Sequence, residues 1–129
     1  MNQILHTMLR VNNLEQSIAF YRDALGMQVI SRFDNSEYQY TLVFMGYESQ
    51  SVTIELTYNW DQSSYEHGTA FGHIAIGSDD IYGAIDRVRQ AGGTVTREPG
   101  PVLGGDTVIA FAKDPNGYAI EFIQTAGKQ

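Results

Sequence analysis

Apolar and polar positions alternate with a strand period over residues 4–11, and the period becomes helical directly afterwards. Asn12 and Asn13 are residue types that cap helices. The apolar positions that follow recur three or four residues apart, up to a stop signal at Gly26. Three further alternating stretches predict strands over 27–33, 39–46 and 51–59. The first half of the chain therefore predicts the order β-α-β-β-β.

The second half repeats this order. A strand is predicted over 71–77, then a helix that is capped by Asp79 or Asp80 and ended by Gly92 and Gly93. Further strands are predicted near 94–98, 107–113 and 118–124, with a Gly/Pro-rich loop at 99–106. The pairs that keep an offset of 67 residues are His6 and His73, Leu14 and Ile81, Ile18 and Ile85, Tyr21 and Val88, Gly26 and Gly93, and Phe44 and Phe111.

The fold class predicted from this repeat is α+β, with two βαβββ modules in a single domain over 1–129. The modules span 1–60 and 70–126, the polar stretch 61–69 links them, and 127–129 is expected to be a frayed end. The strands are expected to form a curved mixed sheet with the helices on its outer face. Apolar residues on that helix-covered face are Leu5, Leu9, Ile54, Leu56, Ile74, Ile76, Ile120 and Phe122.

One histidine and one glutamate from each module fall on the opposite face, because successive side chains of a strand alternate. The four residues are His6, Glu55, His73 and Glu121, and the two glutamates keep the repeat to within one residue. Two imidazole nitrogens and two carboxylate oxygens suit Ni²⁺, Co²⁺, Mn²⁺, Fe²⁺ or Zn²⁺. Four such ligands on an octahedral ion leave two positions for substrate, which is typical of a catalytic metal. The alternative is that each is an ordinary strand residue, which the shared register disfavours.

Composition narrows the function classes. The formal net charge of −7 argues against a nucleic-acid or anionic-membrane partner. The absence of cysteine excludes disulfides, thiolate ligands and cysteine nucleophiles, and it fits a cytoplasmic protein. No stretch has the pattern of a signal peptide or the length of a membrane span.

Five segments make the chain resemble glyoxalase I (lactoylglutathione lyase) of the vicinal oxygen chelate superfamily. They lie at 6–11, 20–27, 54–60, 68–75 and 114–121, and the most specific strings are ELTYNW at 55–60 and FGHI at 71–74. The resemblance implies isomerisation of the methylglyoxal–glutathione hemithioacetal to S-lactoylglutathione through a metal-stabilised enediolate, which detoxifies methylglyoxal. It also implies a homodimer in which His6 and Glu55 of one subunit meet His73 and Glu121 of the other around one metal.

The resemblance further implies that Glu121 is the main base and that Glu55 serves the opposite face of the intermediate. Arg10 and Asn59 are expected to bind the glutathione end, with a surface ion pair and a strand-end cap as the alternatives. Met8, Tyr58 and Trp60 are candidates for the pocket lining, with core or dimer contacts as the alternative for the two aromatic residues. His67 is expected to be a solvated loop residue. Thr69 and Leu103 stand where relatives carry a basic residue for the glycyl carboxylate, and Arg97 or Lys113 is a candidate replacement.

The metal expected from the resemblance to the short, bacterial type is Ni²⁺, with Co²⁺ also active and Zn²⁺ as the alternative. Two other functions stay open on this fold. One is a metal-free binding protein of the bleomycin-sequestering kind, which lacks a full ligand set. The other is a related metalloenzyme with three protein ligands, either a thiol transferase acting on fosfomycin or an extradiol dioxygenase.

Overall fold

A computed structural model of the chain describes residues 1–125, in two compact units. The first unit is 1–66, and the second begins at His67. The predicted module end at 126 and the frayed end at 127–129 lie outside the described residues. The elements of the first unit are β1 (His6–Arg10), α1 (Leu14–Asp23), β2 (Gln28–Asn35), β3 (Tyr40–Gly46) and β4 (Thr53–Asn59). Those of the second are β5 (Ile74–Ser78), α2 (Ile81–Gln90), β6 (Thr94–Pro101), β7 (Val108–Lys113) and β8 (Ala119–Gln124).

Each unit builds a four-stranded mixed sheet with the same topology. The strand order is β1-β4-β3-β2 in the first unit and β5-β8-β7-β6 in the second. The first strand of each unit pairs in parallel with the last, and the other pairs are antiparallel. The α+β class and the repeated βαβββ order are confirmed, with the strands distributed over two sheets.

The helices begin and end where their capping residues lie. Asn13 is the N-cap of α1, and its side chain accepts a hydrogen bond from Gln16 N at 3.0 Å. Asp80 caps α2 by accepting from Gly83 N at 3.2 Å. Just beyond the two helices, Gly26 and Gly92 have φ of +74° and +89°, a left-handed conformation that favours glycine. The predicted start and stop signals therefore correspond to real caps.

Each helix packs on one face of its own sheet. The buried positions on those faces include Leu9, Val43, Met45, Ile54 and Leu56 in the first unit, and Ala110, Ala112, Ile120 and Phe122 in the second. This alternation agrees with the predicted helix-covered face. Three of the residues predicted for that face are not fully buried: Leu5 precedes β1 and is 62% exposed, and Ile74 and Ile76 in β5 are half-buried. None of the helices within residues 1–125 is long and apolar enough to cross a membrane.

Two strand boundaries in the second unit differ from the predictions by three residues. Strand β5 begins at Ile74 rather than at residue 71, so that His73 lies immediately before it. Strand β6 continues to Pro101 through two register irregularities. The guanidinium group of Arg97 donates to the carbonyl oxygens of Gly100, Pro101 and Ile109 at 2.8–3.1 Å. These bonds hold a Gly/Pro segment in the sheet that its composition predicted to be a loop.

Candidate functional site

The first histidine and glutamate lie on neighbouring parallel strands of the first sheet. His6 opens β1 opposite Thr53, and Glu55 lies two residues further along β4. Because side chains two residues apart share a face, the two groups project to the same side of the sheet. His6 Nε2 and Glu55 Oε1 are 3.0 Å apart. The glutamate side chain is 12% exposed and the imidazole 39%, so the pair is open to solvent on its histidine side.

The second unit repeats this pair. His73 lies just before β5, Glu121 lies in β8, and their Nε2 and Oε1 atoms are 3.1 Å apart. The side-chain exposures of 41% and 17% are close to those of the first pair. The duplicated sequence pattern therefore produces duplicated geometry, with one imidazole and one carboxylate in each unit.

A phenylalanine on the strand next to each glutamate packs against the imidazole of the pair. Phe44 pairs with Glu55 across β3 and β4, and its ring meets the His6 ring edge-on at 5.4 Å. Phe111 pairs with Glu121 and meets His73 in the same way, also at 5.4 Å. Such contacts fix the ring plane of a histidine by packing. The offset of 67 already linked the two phenylalanines, but only the strand register shows that they lie beside the histidines.

The two carboxylates differ in their second oxygen. Thr57, which is 5% exposed, donates its hydroxyl hydrogen bond to Glu55 Oε2 at 2.8 Å. The residue two positions after Glu121 is Ile123, which has no hydroxyl group. Thr57 is not among the residues predicted for the site, although the two halves of the sequence differ at this position, with threonine in the first and isoleucine in the second.

Arg10 and Asn59, both predicted to bind substrate, are in contact on the face that carries His6 and Glu55. Arg10 donates from Nη1 to Asn59 Oδ1 at 2.6 Å, and the Tyr65 hydroxyl donates to the same oxygen at 3.3 Å. Because Oδ1 accepts both bonds, Asn59 Nδ2 is the donor end of this amide. The cluster thus presents a guanidinium and an amide donor, which suit a carboxylate ligand. Tyr65 lay in the predicted linker and was missed.

Each His–Glu pair has a spacing that fits two adjacent positions on a metal ion. Bonds of about 2.0–2.2 Å at right angles separate neighbouring donor atoms by roughly 3 Å, and the pairs measure 3.0 and 3.1 Å. Within residues 1–125 there is no group of three or more histidine or acidic side chains that could hold a metal. Each unit therefore offers two ligands, half of the predicted set.

A cavity of about 570 Å³ lies in the first unit next to the N-terminus of α1. Tyr58 and Trp60 line it together with Thr41, and Trp60 Nε1 donates to Thr41 Oγ1 at 3.0 Å. Thr41 pairs with Tyr58 on the helix-covered face of the sheet. Tyr58 and Trp60 therefore lie apart from the His6–Glu55 pair, contrary to the expectation that they line the substrate pocket, whereas Met8 is exposed on the pair's own face.

The two residues considered as replacements for the missing basic group, Arg97 and Lys113, lie in β6 and β7 of the second unit. The Arg97 guanidinium donates to three backbone carbonyl oxygens and stabilises the end of β6. Leu103 and Lys113 are exposed. His67 is exposed as predicted, but its ring also stacks on Tyr118 at 4.4 Å.

Comparison with known proteins gives consistent results. Residues 3–122 match the family described as Glyoxalase/Bleomycin resistance protein/Dioxygenase superfamily. A lactoylglutathione lyase of Haemophilus influenzae is 62% identical over 124 residues, which cover 95% of this chain and 92% of that protein. The crystal structure of glyoxalase I from Zea mays superposes with a TM-score of 0.90 at 44% identity, over 96% of this chain and 45% of the longer maize chain. The trypanothione-dependent glyoxalase I of Leishmania major gives a TM-score of 0.83 at 42% identity, over 96% and 87% of the two chains.

Proposed function

This chain belongs to the Glyoxalase/Bleomycin resistance protein/Dioxygenase superfamily, and from that premise we propose that it is a lactoylglutathione lyase, or glyoxalase I. The reaction isomerises the hemithioacetal of methylglyoxal and glutathione to S-lactoylglutathione, and so detoxifies methylglyoxal. The observation that carries the proposal is the pair of equivalent His–Glu contacts at 3.0 and 3.1 Å, one in each unit.

His6, Glu55, His73 and Glu121 are the proposed metal ligands. A divalent cation bound by them would act as a Lewis acid that stabilises negative charge on two neighbouring substrate oxygens. Two imidazoles and two carboxylates form a mixed nitrogen and oxygen set, which fits Ni²⁺ and Co²⁺ and also Zn²⁺. We propose Ni²⁺ as the cofactor, with Co²⁺ active and Zn²⁺ as the alternative.

The carboxylates carry the proton transfers. The carbon bonded to sulfur in the hemithioacetal loses its proton to Glu121. The electron pair of that C–H bond forms a carbon–carbon double bond while the π pair of the neighbouring carbonyl moves onto its oxygen, which gives the enediolate. The neighbouring carbon then takes up a proton with the electron pair of the double bond, and the hydroxyl proton passes from the oxygen on the sulfur-bearing carbon to the neighbouring oxygen. The hydroxyl and carbonyl thus exchange places and no atom is gained or lost. Glu55 acts in proton transfer on the opposite face of the intermediate. A positioned carboxylate base contributes about 10²–10⁴-fold to such a step.

The arrangement that completes the ligand set is a homodimer. In this proposal His6 and Glu55 of one subunit share an ion with His73 and Glu121 of a second subunit, and the modules 1–60 and 70–126 act as one domain joined by 61–69. Support comes from the two ligands that each unit offers and from exposed apolar side chains such as Leu5, Met8 and Phe33. Apolar groups exposed together on one face form the kind of patch that a partner covers, and Met8 and Phe33 both lie on the face of the first sheet that carries Glu55.

Arg10 and Asn59 are the proposed anchors for the thiol tail, because their guanidinium and amide donors lie together on the face of the first His–Glu pair. When the thiol is glutathione, this tail carries carboxylates, which accept hydrogen bonds from such donors. Trypanothione, on which the Leishmania major relative depends, is the alternative thiol. A cytoplasmic location and the absence of nucleic-acid and membrane partners stay predictions from composition.

The test is a metal titration of chelator-treated protein. Methylglyoxal and glutathione are mixed to form the hemithioacetal, the protein is added, and the thioester product is followed by its ultraviolet absorbance while Ni²⁺, Co²⁺ or Zn²⁺ is added. We expect a rate that depends on metal and that is highest with Ni²⁺. Replacing glutathione by trypanothione identifies the thiol. A protein that binds none of these metals and gives no thioester would refute the proposal.

A further inference from the structure

The two halves of the site are equivalent in their histidine and phenylalanine but differ around the glutamate. Both oxygens of Glu55 have partners, since Oε1 lies 3.0 Å from His6 Nε2 and Oε2 accepts the Thr57 hydroxyl at 2.8 Å. For Glu121, Oε1 lies 3.1 Å from His73 Nε2, and the side chain that occupies the position of Thr57 is Ile123.

The surroundings of these two positions extend the difference. Thr57 pairs with Arg10 on β1 and Leu42 on β3, whereas Ile123 pairs with Gly77 on β5 and Ile109 on β7. The strands next to Ile123 therefore offer no side-chain donor at the equivalent positions. A carboxylate rotates about its side-chain bonds unless hydrogen bonds hold it, and a bond to an ionised acceptor is about twice as strong as a neutral one.

We propose that Thr57 is a positioning residue that holds Glu55 as the fixed carboxylate, and that Ile123 leaves Glu121 as the carboxylate able to turn between ion and substrate. This inference rests on the proposed lyase function and deepens it, because it assigns a physical cause to the unequal roles of two glutamates in equivalent positions. A carboxylate that holds a cation would be a weak base, so the glutamate that first accepts the substrate proton would need freedom to turn away from the ion, whereas the glutamate that stays on the ion would not.

Reciprocal substitutions test this assignment. Thr57→Val removes the hydroxyl with little change in shape, and Thr57→Ser restores it. Ile123→Thr introduces a hydroxyl two residues after Glu121, and Ile123→Val is the matched control for lost volume without a hydroxyl. Each full-length variant is first checked for its thermal unfolding midpoint. Its Co²⁺ affinity is then measured by competition with a coloured chelator, its Co²⁺ visible spectrum is recorded, and kcat and KM are determined separately.

We expect Thr57→Val to weaken Co²⁺ binding about tenfold, the size expected for loss of one hydrogen bond to a charged group, and to change the Co²⁺ spectrum. Thr57→Ser should restore both. We expect Ile123→Thr to lower kcat about tenfold without weakening Co²⁺ binding, since the new hydroxyl tethers the moving carboxylate. Ile123→Val should leave kcat and Co²⁺ affinity near the values of the parent protein.

If a folded Thr57→Val variant keeps the Co²⁺ affinity of the parent protein, the proposed role of the Thr57 hydroxyl is wrong. It is also wrong if Thr57→Ser loses as much Co²⁺ affinity as Thr57→Val. Full kcat in Ile123→Thr would overturn the mobile role of Glu121. If Thr57→Val does not fold, the Ile123 series decides on its own. If the proposed function is wrong, the parent protein shows no turnover with any metal. The Co²⁺ affinities of the Thr57 variants still test whether the Thr57 hydroxyl holds Glu55, so the two failures are distinguishable.

Discussion

Two inactive variants of this chain are expected to restore activity when they are combined in one dimer. The first variant carries His6→Ala and Glu55→Gln, and the second carries His73→Ala and Glu121→Gln. Each removes the ligand pair of one unit and leaves the other pair at its spacing of about 3 Å. Glutamine keeps an acceptor for the Thr57 hydroxyl but is a poor metal ligand. Both variants should fold, because the histidines are well exposed, and neither should be active alone.

The size of the recovery follows from the arrangement of the pairs. In a two-fold dimer with shared sites, a mixed dimer has one site with all four ligands and one site with none. A purified mixed dimer should therefore show about half of the parent activity per dimer. Random assortment of equal amounts makes about half of the dimers mixed, so an unpurified mixture should show about a quarter.

The assay uses co-expression of the variants with two different affinity tags and sequential purification on both. Thioester formation is measured with Ni²⁺ or Co²⁺ present, and bound metal is counted per dimer. The control is a dimer of two copies of the first variant that carry the two different tags, and it should stay inactive. An inactive mixed dimer that binds no metal would refute sharing of ligands between subunits, as would failure to recover any mixed dimer.

Three further changes have distinct expected outcomes. Glu121→Gln should lower kcat about 10²–10⁴-fold in steady-state assays while the fold is retained, and full activity would show that another group is the base. Arg10→Ala should raise KM about tenfold with a smaller effect on kcat, because a charge-assisted bond to the thiol tail is lost; an unchanged KM would contradict this role. Tyr47 donates to Leu25 O at 2.5 Å, so that Tyr47→Phe should cost about 1 kcal/mol of unfolding free energy in urea titrations. Burial raises the pKa of the Tyr47 phenol above its ordinary value of 10.0. The phenol therefore contributes fully to the free energy of unfolding below pH 10.0, and this contribution is lost as the pH rises through the raised pKa. Tyr47→Phe should remove this part of the loss of stability at alkaline pH.

The parts of the fold that depend on local chemistry were predictable from the sequence. Asn13 and Asp80 cap helices because their side chains accept from backbone N–H groups within the first turn. The face on which the core lies followed from strand alternation alone. Boundaries that depend on distant contacts were not predictable. Strand β6 runs to Pro101 because Arg97 reaches the carbonyl oxygens of three other residues, one of them on the neighbouring strand.

The candidate site shows the same division between local pattern and distant contact. The repeat identified the two His–Glu pairs, since duplication keeps residues in register. It did not identify Thr57 as a partner of Glu55, because the direction of a threonine hydroxyl depends on its rotamer. Nor did it identify Tyr65, which reaches Asn59 from a segment without regular structure. Tyr58 lies three residues after Glu55, so strand alternation alone puts the two side chains on opposite faces of β4, and the expectation that Tyr58 lines the substrate pocket did not follow from the pattern.

The placement of the His6–Glu55 pair on adjoining strands has a consequence for how this scaffold can diverge. Between His6 and Glu55 the chain makes a helix and two strands, yet the distance between the two groups is set by the backbone ladder of β1 and β4. Insertions in the intervening turns, or new side chains at the strand ends, can therefore alter which small molecule is recognised without changing the spacing of the donor atoms. A scaffold of this kind can acquire new substrate preferences while its chemistry stays in place.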